Sequence, residues 1–311
     1  MSVPPPHAAL TAVKAVGAAA ALAAGLALGR AGVRGVTRGL GRALLYVVIP
    51  YLMVYGLLYT PASLVGSTAA LVAAYVGISA AAVPTAYARV FGRGRSSGAA
   101  VMASVFPNVA FLPIPLTLIL YGNPMPAVMY STIYNVVSAP LIPTLASLTS
   151  GRGVDAAVVA RRVASFPFTW AAAAGLALRL AASLAGGPPP PPHAAVLLKE
   201  AFSYANIASF ALVGEALARV RFGFRREVLA VLAWRLAASP AIHLALIPAL
   251  LSGAPPAWVA GALIESAAPP ATMNVVYARM YGLDEEVVAL SIAYSTPASL
   301  AVAGLVKALI P

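Results

Sequence analysis

Ser104-Val-Phe-Pro107-Asn108-Val-Ala-Phe-Leu-Pro113-Ile-Pro115-Leu116 and Glu265-Ser-Ala-Ala-Pro269-Pro270-Ala-Thr272-Met-Asn274 decide how this chain is read. Both lie in the middle of long apolar stretches. Each proline removes a backbone donor and pushes against the preceding turn, so a helix cannot run straight through either segment. In hydrocarbon, freed carbonyls and amides are tolerated only where protein buries them or where they line a cavity. Both breaks are therefore expected to face the interior, and to face each other.

The surrounding composition supplies the hydrocarbon. Of 311 residues, 61% are apolar and only 9% are charged, against about 25% charged in soluble domains. Residues 43–88, 96–151 and 287–306 carry no charge at all. This pattern predicts an all-α polytopic membrane protein lodged in a lipid bilayer. A crossing needs about 20 mostly apolar residues. Ten such spans run over 8–29, 41–60, 62–88, 97–121, 124–148, 164–185, 194–218, 227–250, 257–281 and 285–309. The first begins just after His7 and reads as a spanning helix, not as a cleaved leader. Cysteine is absent, which excludes disulfides and thiolate metal sites. No metal site and no cofactor is expected.

The arginines set the orientation. Fifteen of the twenty basic residues fall on alternate loops: Arg30, Arg34, Arg38 and Arg42; Arg89, Arg93 and Arg95; Arg152, Arg161 and Arg162; Arg219, Arg221, Arg225 and Arg226; and Arg279. The positive-inside rule places these loops in the cytoplasm and both termini outside a plasma membrane. This accounts for most of the net charge of +12, so no nucleic-acid partner is expected.

Ten spans with both ends outside divide into five plus five, and five is odd. The second half, 151–311, is then inverted relative to the first, 1–150. A shift of 160 residues aligns Tyr121-Gly122 with Tyr281-Gly282, Val128 with Val288, Ser131 with Ser291 and Tyr134 with Tyr294. Inverted repeats with interrupted helices at corresponding places point to a secondary transporter, with its substrate site at the interruptions. The candidate substrate-binding residues are Asn108, Pro113, Pro115, Pro269, Pro270 and Asn274. Half-helix N-termini at the breaks of spans 4 and 9 would offer amides and positive dipole ends to an anion.

Ionisable groups inside spans are functional candidates by default. Arg235 and Glu265 each lie eight or nine residues inside a span, from opposite sides. Two readings stay open: they pair and hold their helices together, or Arg235 clamps a substrate carboxylate while Glu265, with Thr272 nearby, takes a coupling proton or Na⁺. Other charges lie shallower. Lys14 snorkels outward or functions; Arg179, Lys199 and Glu200 anchor the outer interface; Glu215 pairs with Arg219 one turn on. Asp284, Glu285 and Glu286 suit the N-terminus of the last helix. His243 reads as a hydrogen-bonded packing residue. Tyr51, Tyr55, Asn135, Tyr204 and Asn206 line a cavity or bond between helices.

The run Asn108-Val-Ala110-Phe-Leu-Pro113-Ile-Pro115-Leu116 resembles the N-x-G-F-x-G-x-P-L crossover signature of the auxin efflux carrier family, the PIN-like permeases, in its prokaryotic form. Ala110 and Pro113 stand where the family has glycines. Pro269-Pro270-Ala-Thr-Met-Asn274, then Ala278-Arg-Met-Tyr281-Gly282-Leu-Asp284, is similar to its second crossover. Ser295-Thr296-Pro-Ala-Ser299-Leu300 is similar to its last helix, and Arg235-Leu-x-x-x-Pro240 to span 8 of prokaryotic members. The resemblance implies crossed helices 4 and 9, a scaffold of helices 1, 2, 6 and 7, a moving unit of helices 3–5 and 8–10, and a homodimer. It implies a small organic carboxylate as substrate, such as malate, malonate or an aromatic acid. Glu265 is not usual there. A Glu at this place is similar instead to the bile-acid:sodium symporters, a more distant likeness that implies Na⁺ coupling.

The function expected is therefore a permease moving a small organic anion by alternating access. A sodium-coupled symporter is the first alternative. A passive channel would show a repeated ring of pore-lining residues. A membrane-embedded enzyme would show an H-E-x-x-H pair, two aspartates in separate spans or a Ser/His pair. None of these patterns is present, so the chain is not expected to be an enzyme.

Overall fold

The computed structural model describes residues 6–311 apart from 34, 152, 219, 221 and 222. Arg34, Arg152, Arg219 and Arg221, and with them the expected Glu215–Arg219 pair, lie outside the described residues. The protein is 81% helical, with no strand among the described residues.

Seven helices are long and apolar enough to cross a membrane. They are α1 (Pro6–Arg30), α2 (Gly35–Tyr59), α3 (Ala62–Phe91), α9 (Pro167–Leu184), α10 (His193–Leu217), α11 (Arg226–Leu250) and α14 (Glu285–Leu309). Each falls on an expected span. The other three expected spans are pairs of shorter helices: α4 (Arg95–Val105) and α5 (Pro113–Tyr121), α6 (Met125–Ser138) and α7 (Leu141–Thr149), and α12 (Pro256–Ser266) and α13 (Met273–Tyr281). Two of these divisions are the proline breaks. The third, at Ala139-Pro140, replaces an expected continuous span. Both residues keep right-handed helical angles, so this is a proline kink and not an unwound segment. One helix was not expected at all. α8 (Ala156–Ser165) starts at Asp155, whose carboxylate accepts from the Ala157 and Val158 amides.

The helices carry apolar residues on outward faces. Leu176, Leu180 and Leu184 follow one another at helical spacing, and Leu184 is 82% exposed. A soluble protein would not leave such a stripe uncovered, whereas acyl chains cover it. Small residues draw helices together on inner faces. α1 packs along α10, and α2 packs along α9. A Cβ at Gly25 would lie 2.0 Å from the Ala211 carbonyl oxygen, and one at Gly214 would lie 2.2 Å from that of Leu22.

Two helices contain a single wide turn. In α2 it spans Leu44–Val48, two residues before Pro50; in α11 it spans Trp234–Ala238, two residues before Pro240. Each ends on an i→i+5 bond, from the Ile49 amide to Leu44 and from the Ser239 amide to Trp234. The wide turn accommodates the proline ring that would otherwise strike a carbonyl one turn back. α10 narrows instead, into a 3₁₀ turn at Asn206–Ser209. These local departures aim Arg235 and Asn206 at the broken helices.

Candidate functional site

The two breaks meet. Pro107 and Pro270 form an isolated antiparallel bridge. The Asn108 amide donates to the Pro269 carbonyl at 2.7 Å, and the Ala271 amide donates to the Phe106 carbonyl at 2.9 Å. Two unwound strands of backbone thus satisfy each other in the interior, as the burial of polar backbone requires. Gly122 and Gly282 close the second half-helices with the same left-handed angle, φ 70°. These are the glycines aligned by the 160-residue shift.

The two asparagines do different work. Asn274 lies in the first turn of α13. Its side-chain amide donates to the Phe106 carbonyl at 2.7 Å and to the Met102 carbonyl at 3.2 Å, capping the end of α4. Asn108 lies in the unwound loop, and its Oδ1 accepts the Phe111 amide at 3.0 Å. The two are not equivalent in position: Asn108 lies five residues before α5 begins, whereas Asn274 is the second residue of α13. α10 supports the first loop, since Ser209 Oγ donates to the Phe111 carbonyl at 2.5 Å and Asn206 Nδ2 reaches that of Ala110 at 3.5 Å. The Tyr134 hydroxyl donates to the Val105 carbonyl.

A small cleft of about 90 Å³ lies against this crossing. Its floor is Phe106–Phe111 and Ala271–Asn274, and its walls include Asn135, Ser138, Tyr277 and Phe168. No charged side chain among the described residues lines it. The polar groups it offers are the side chains of Asn108, Asn135, Ser138, Thr272, Asn274 and Tyr277, while the Asn274 and Val275 amides at the start of α13 are already bonded to the Ala271 and Thr272 carbonyls. A positive helix end and neutral donors suit an anion with an organic body. A second cavity shares Leu45, Phe111, Thr272 and Met273 with the cleft, and its charged lining is Arg38, Arg42, Arg279 and Glu215.

Of the sequence-derived site residues, Asn108, Thr272 and Asn274 line the cleft. Pro113 and Pro115 are buried in the first turn of α5, and Pro269 and Pro270 make the bridge; none of the four is among the lining residues. These prolines break the helices and do not touch the cleft. Asn135 lines it, but Tyr51 bonds to the Ala195 carbonyl and Asn206 to the first loop. Ser138, Phe166 and Phe168 were missed because they arrive from segments outside the two broken spans, and Tyr277 was missed although it lies one turn beyond Asn274 on α13.

Arg235 and Glu265 do not form the expected side-chain pair. Arg235 is fully buried, with Nε on the Ala268 carbonyl at 2.7 Å, Nη2 on those of Ser266 and Glu265 at 2.9 and 3.3 Å, and Nη1 on the Tyr75 hydroxyl at 2.6 Å. Its donors go to three backbone carbonyls and the Tyr75 hydroxyl, and it does not line the cleft. Both carboxyl oxygens of Glu265 are buried without a hydrogen-bond partner. Lys14 does not snorkel outward: it is buried, donates to the Leu118 carbonyl at 3.4 Å and sits over the Tyr204 ring. Arg179 binds the Leu57 and Thr60 carbonyls at the end of α2. His243 is a packing residue as read, bonded to the Tyr130 hydroxyl and the Ser239 carbonyl.

Compared with known proteins, the chain matches no protein-family model, and no curated protein matches it.

Proposed function

We propose that this protein is a secondary transporter for a small organic anion, bound at the helix crossing and moved by alternating access. The observation that carries the reading is the cleft against the Pro107–Pro270 bridge, lined by Asn108, Thr272 and Asn274 and adjoining a second cavity lined by Arg38, Arg42, Arg279 and Glu215. Paired interruptions over a cavity are the architecture that exchanges access between two sides of a membrane. The arginines raise the local concentration of anions at the mouth, and neutral amides at the floor hold them weakly enough to be released.

The finer architecture belongs to the same proposal. Three broken or kinked spans join the seven long helices to make ten crossings, as two inverted repeats, 1–150 and 151–311. Both termini lie outside the plasma membrane and the arginine-rich loops lie in the cytoplasm. The α1–α10 and α2–α9 pairings suit a scaffold of spans 1, 2, 6 and 7 beside a moving unit of spans 3–5 and 8–10. The motifs support membership of the auxin efflux carrier family, whose members imply a homodimer and a carboxylate substrate. Glu265, buried and with no hydrogen bond to its carboxyl oxygens, suits a proton-coupled step.

The test is uptake into proteoliposomes, with malate, malonate, succinate and indole-acetate, under imposed proton or Na⁺ gradients. Saturable uptake of one carboxylate, lost in Asn274→Ala, is expected. Flux that never saturates would make the protein a channel, and no flux of any carboxylate in folded protein would overturn the anion reading.

A further inference from the structure

The break after α12 ends in four successive carbonyls, those of Glu265, Ser266, Ala267 and Ala268, at the negative end of a helix. Carbonyls of this kind, with hydroxyls beside them, are what a bound alkali cation takes from an unwound membrane helix. Here they already face a cation. Arg235 puts Nη2 on Glu265 and Ser266 and Nε on Ala268. Ser239 donates to the Ser266 carbonyl at 2.6 Å, and Ser299 donates to that of Ala267 at 2.5 Å. None of the Arg235 hydrogen bonds goes to a carboxylate among the described residues. Its charge is met by backbone dipoles.

We propose that Arg235 is a tethered cation: its guanidinium fills, from within the chain, a cation-binding site made by the carbonyl end of α12. No free alkali cation is then bound at this break at any stage of the cycle. The wide turn at Trp234–Ala238, forced by Pro240, carries the side chain to the carbonyls. The corresponding carbonyls after α4 make the contrast. They accept from the Asn274 side chain, the Ala271 amide and the Tyr134 hydroxyl, all neutral. A cation at the second break is thus a particular solution and not a general need of broken helices. The other titratable groups around it are Glu265 itself, Tyr75, Tyr87, Tyr130, Tyr134 and His243. Tyr75 touches the guanidinium, and Tyr130 and His243 bond each other.

The consequence for coupling rests on the transporter reading, but the site itself is tested by stability alone. Purified full-length protein is melted in chloride salts of Na⁺, Li⁺, K⁺ and methylguanidinium at constant ionic strength. The native midpoint should not depend on which alkali ion is present. Arg235→Ala should melt lower by about 10 °C, as removal of one member of a buried polar constellation does. Millimolar methylguanidinium should restore at least half of that loss, saturably, in Arg235→Ala and not in the native protein. Glu265→Gln should leave the rescue intact, since Glu265 gives only its backbone carbonyl to the site. Failure of every cation to restore folded Arg235→Ala would overturn the proposal, as would saturable Na⁺ stabilisation of the native protein that Ser299→Ala removes. If Arg235→Ala does not fold, Arg235→Lys and Arg235→Met decide. A retained charge should keep Lys at least twofold closer to the native midpoint than Met, and equal midpoints would overturn the proposal. Failed transport with intact rescue would count against the carrier reading and not against the tethered cation.

Discussion

After α4 the chain unwinds from Phe106 to Leu112 and gives its carbonyls to neutral donors; after α12 it unwinds from Ala267 to Thr272 and gives its first carbonyls to a buried guanidinium. The first loop lines the cleft over six consecutive residues, Phe106 to Phe111, and the second only from Ala271 onward. Residues 265–268 are sealed behind Arg235, Ser239 and Ser299. The difference teaches how one crossing can be both soft and firm. Groups that must meet and release a solute are uncharged and reach the cleft. Groups that must hold the crossing together are charged, dry and out of the solute's reach.

The largest expected effect separating the two breaks is the destabilisation by Arg235→Ala. Asn274→Ala should cost less, about 1–3 kcal/mol for the carbonyls it leaves unpaired, but it should weaken anion binding at least tenfold, because Asn274 also lines the cleft. An Asn274→Ala protein that binds its anion at native affinity would break the comparison. Ser209→Ala and Ser299→Ala sharpen it. Each removes one hydroxyl donor from a break, for about 1 kcal/mol. Ser209→Ala should change anion affinity, since Ser209 holds Phe111 at the cleft, and Ser299→Ala should not. Equal shifts in affinity from the two would mean that the second break is no more sealed than the first.

The smallest effect lies outside the crossing. Asp284 caps α14 and receives hydrogen bonds from Ser96 and Arg225, at 2.7 and 2.8 Å. Burial pushes its carboxyl up, but the Ser96 and Arg225 hydrogen bonds outweigh that and hold it below the ordinary aspartate value. A depressed value means that its contribution is present above the unfolded value, about 3.9, and is lost as pH falls through the folded one. The melting difference between native protein and Asp284→Asn should therefore be constant from neutral pH down to about pH 5 and shrink below pH 4. A difference that grows on acidification would reverse the sign of this assignment. Because the group is partly exposed, the effect is small.

Much of this was legible in the sequence. Apolar length placed the last span at 285–309, where α14 lies, and the eighth at 227–250, one residue inside α11. Pro107, Pro113, Pro269 and Pro270 located both breaks, because a missing donor and a ring clash act locally. The partner of Arg235 was not legible. Its acceptors are backbone carbonyls, which every residue type carries, so no side-chain chemistry announced them, and Glu265 drew attention by its charge alone. The cleft's walls were hidden for a related reason. Ser138 and Phe168 reach the cleft only through helix packing, and nothing local to them marks a site. The bend at Ala139-Pro140 shows the same limit in reverse: one proline at a span's inner end reads as continuous helix until its neighbours fix the angle.

The absence of cysteine allows the most direct test. Single cysteines can be placed as Thr272→Cys in the cleft and Ser266→Cys behind Arg235, and exposed to a membrane-impermeant thiol reagent in oriented vesicles. Thr272→Cys should react from the arginine-bearing side and be protected by the transported carboxylate, while Ser266→Cys should stay unreactive from both sides. A Thr272→Cys protein that no carboxylate protects, or a Ser266→Cys protein that reacts as fast, would contradict a solute cleft on one side of the crossing and a sealed cationic break on the other.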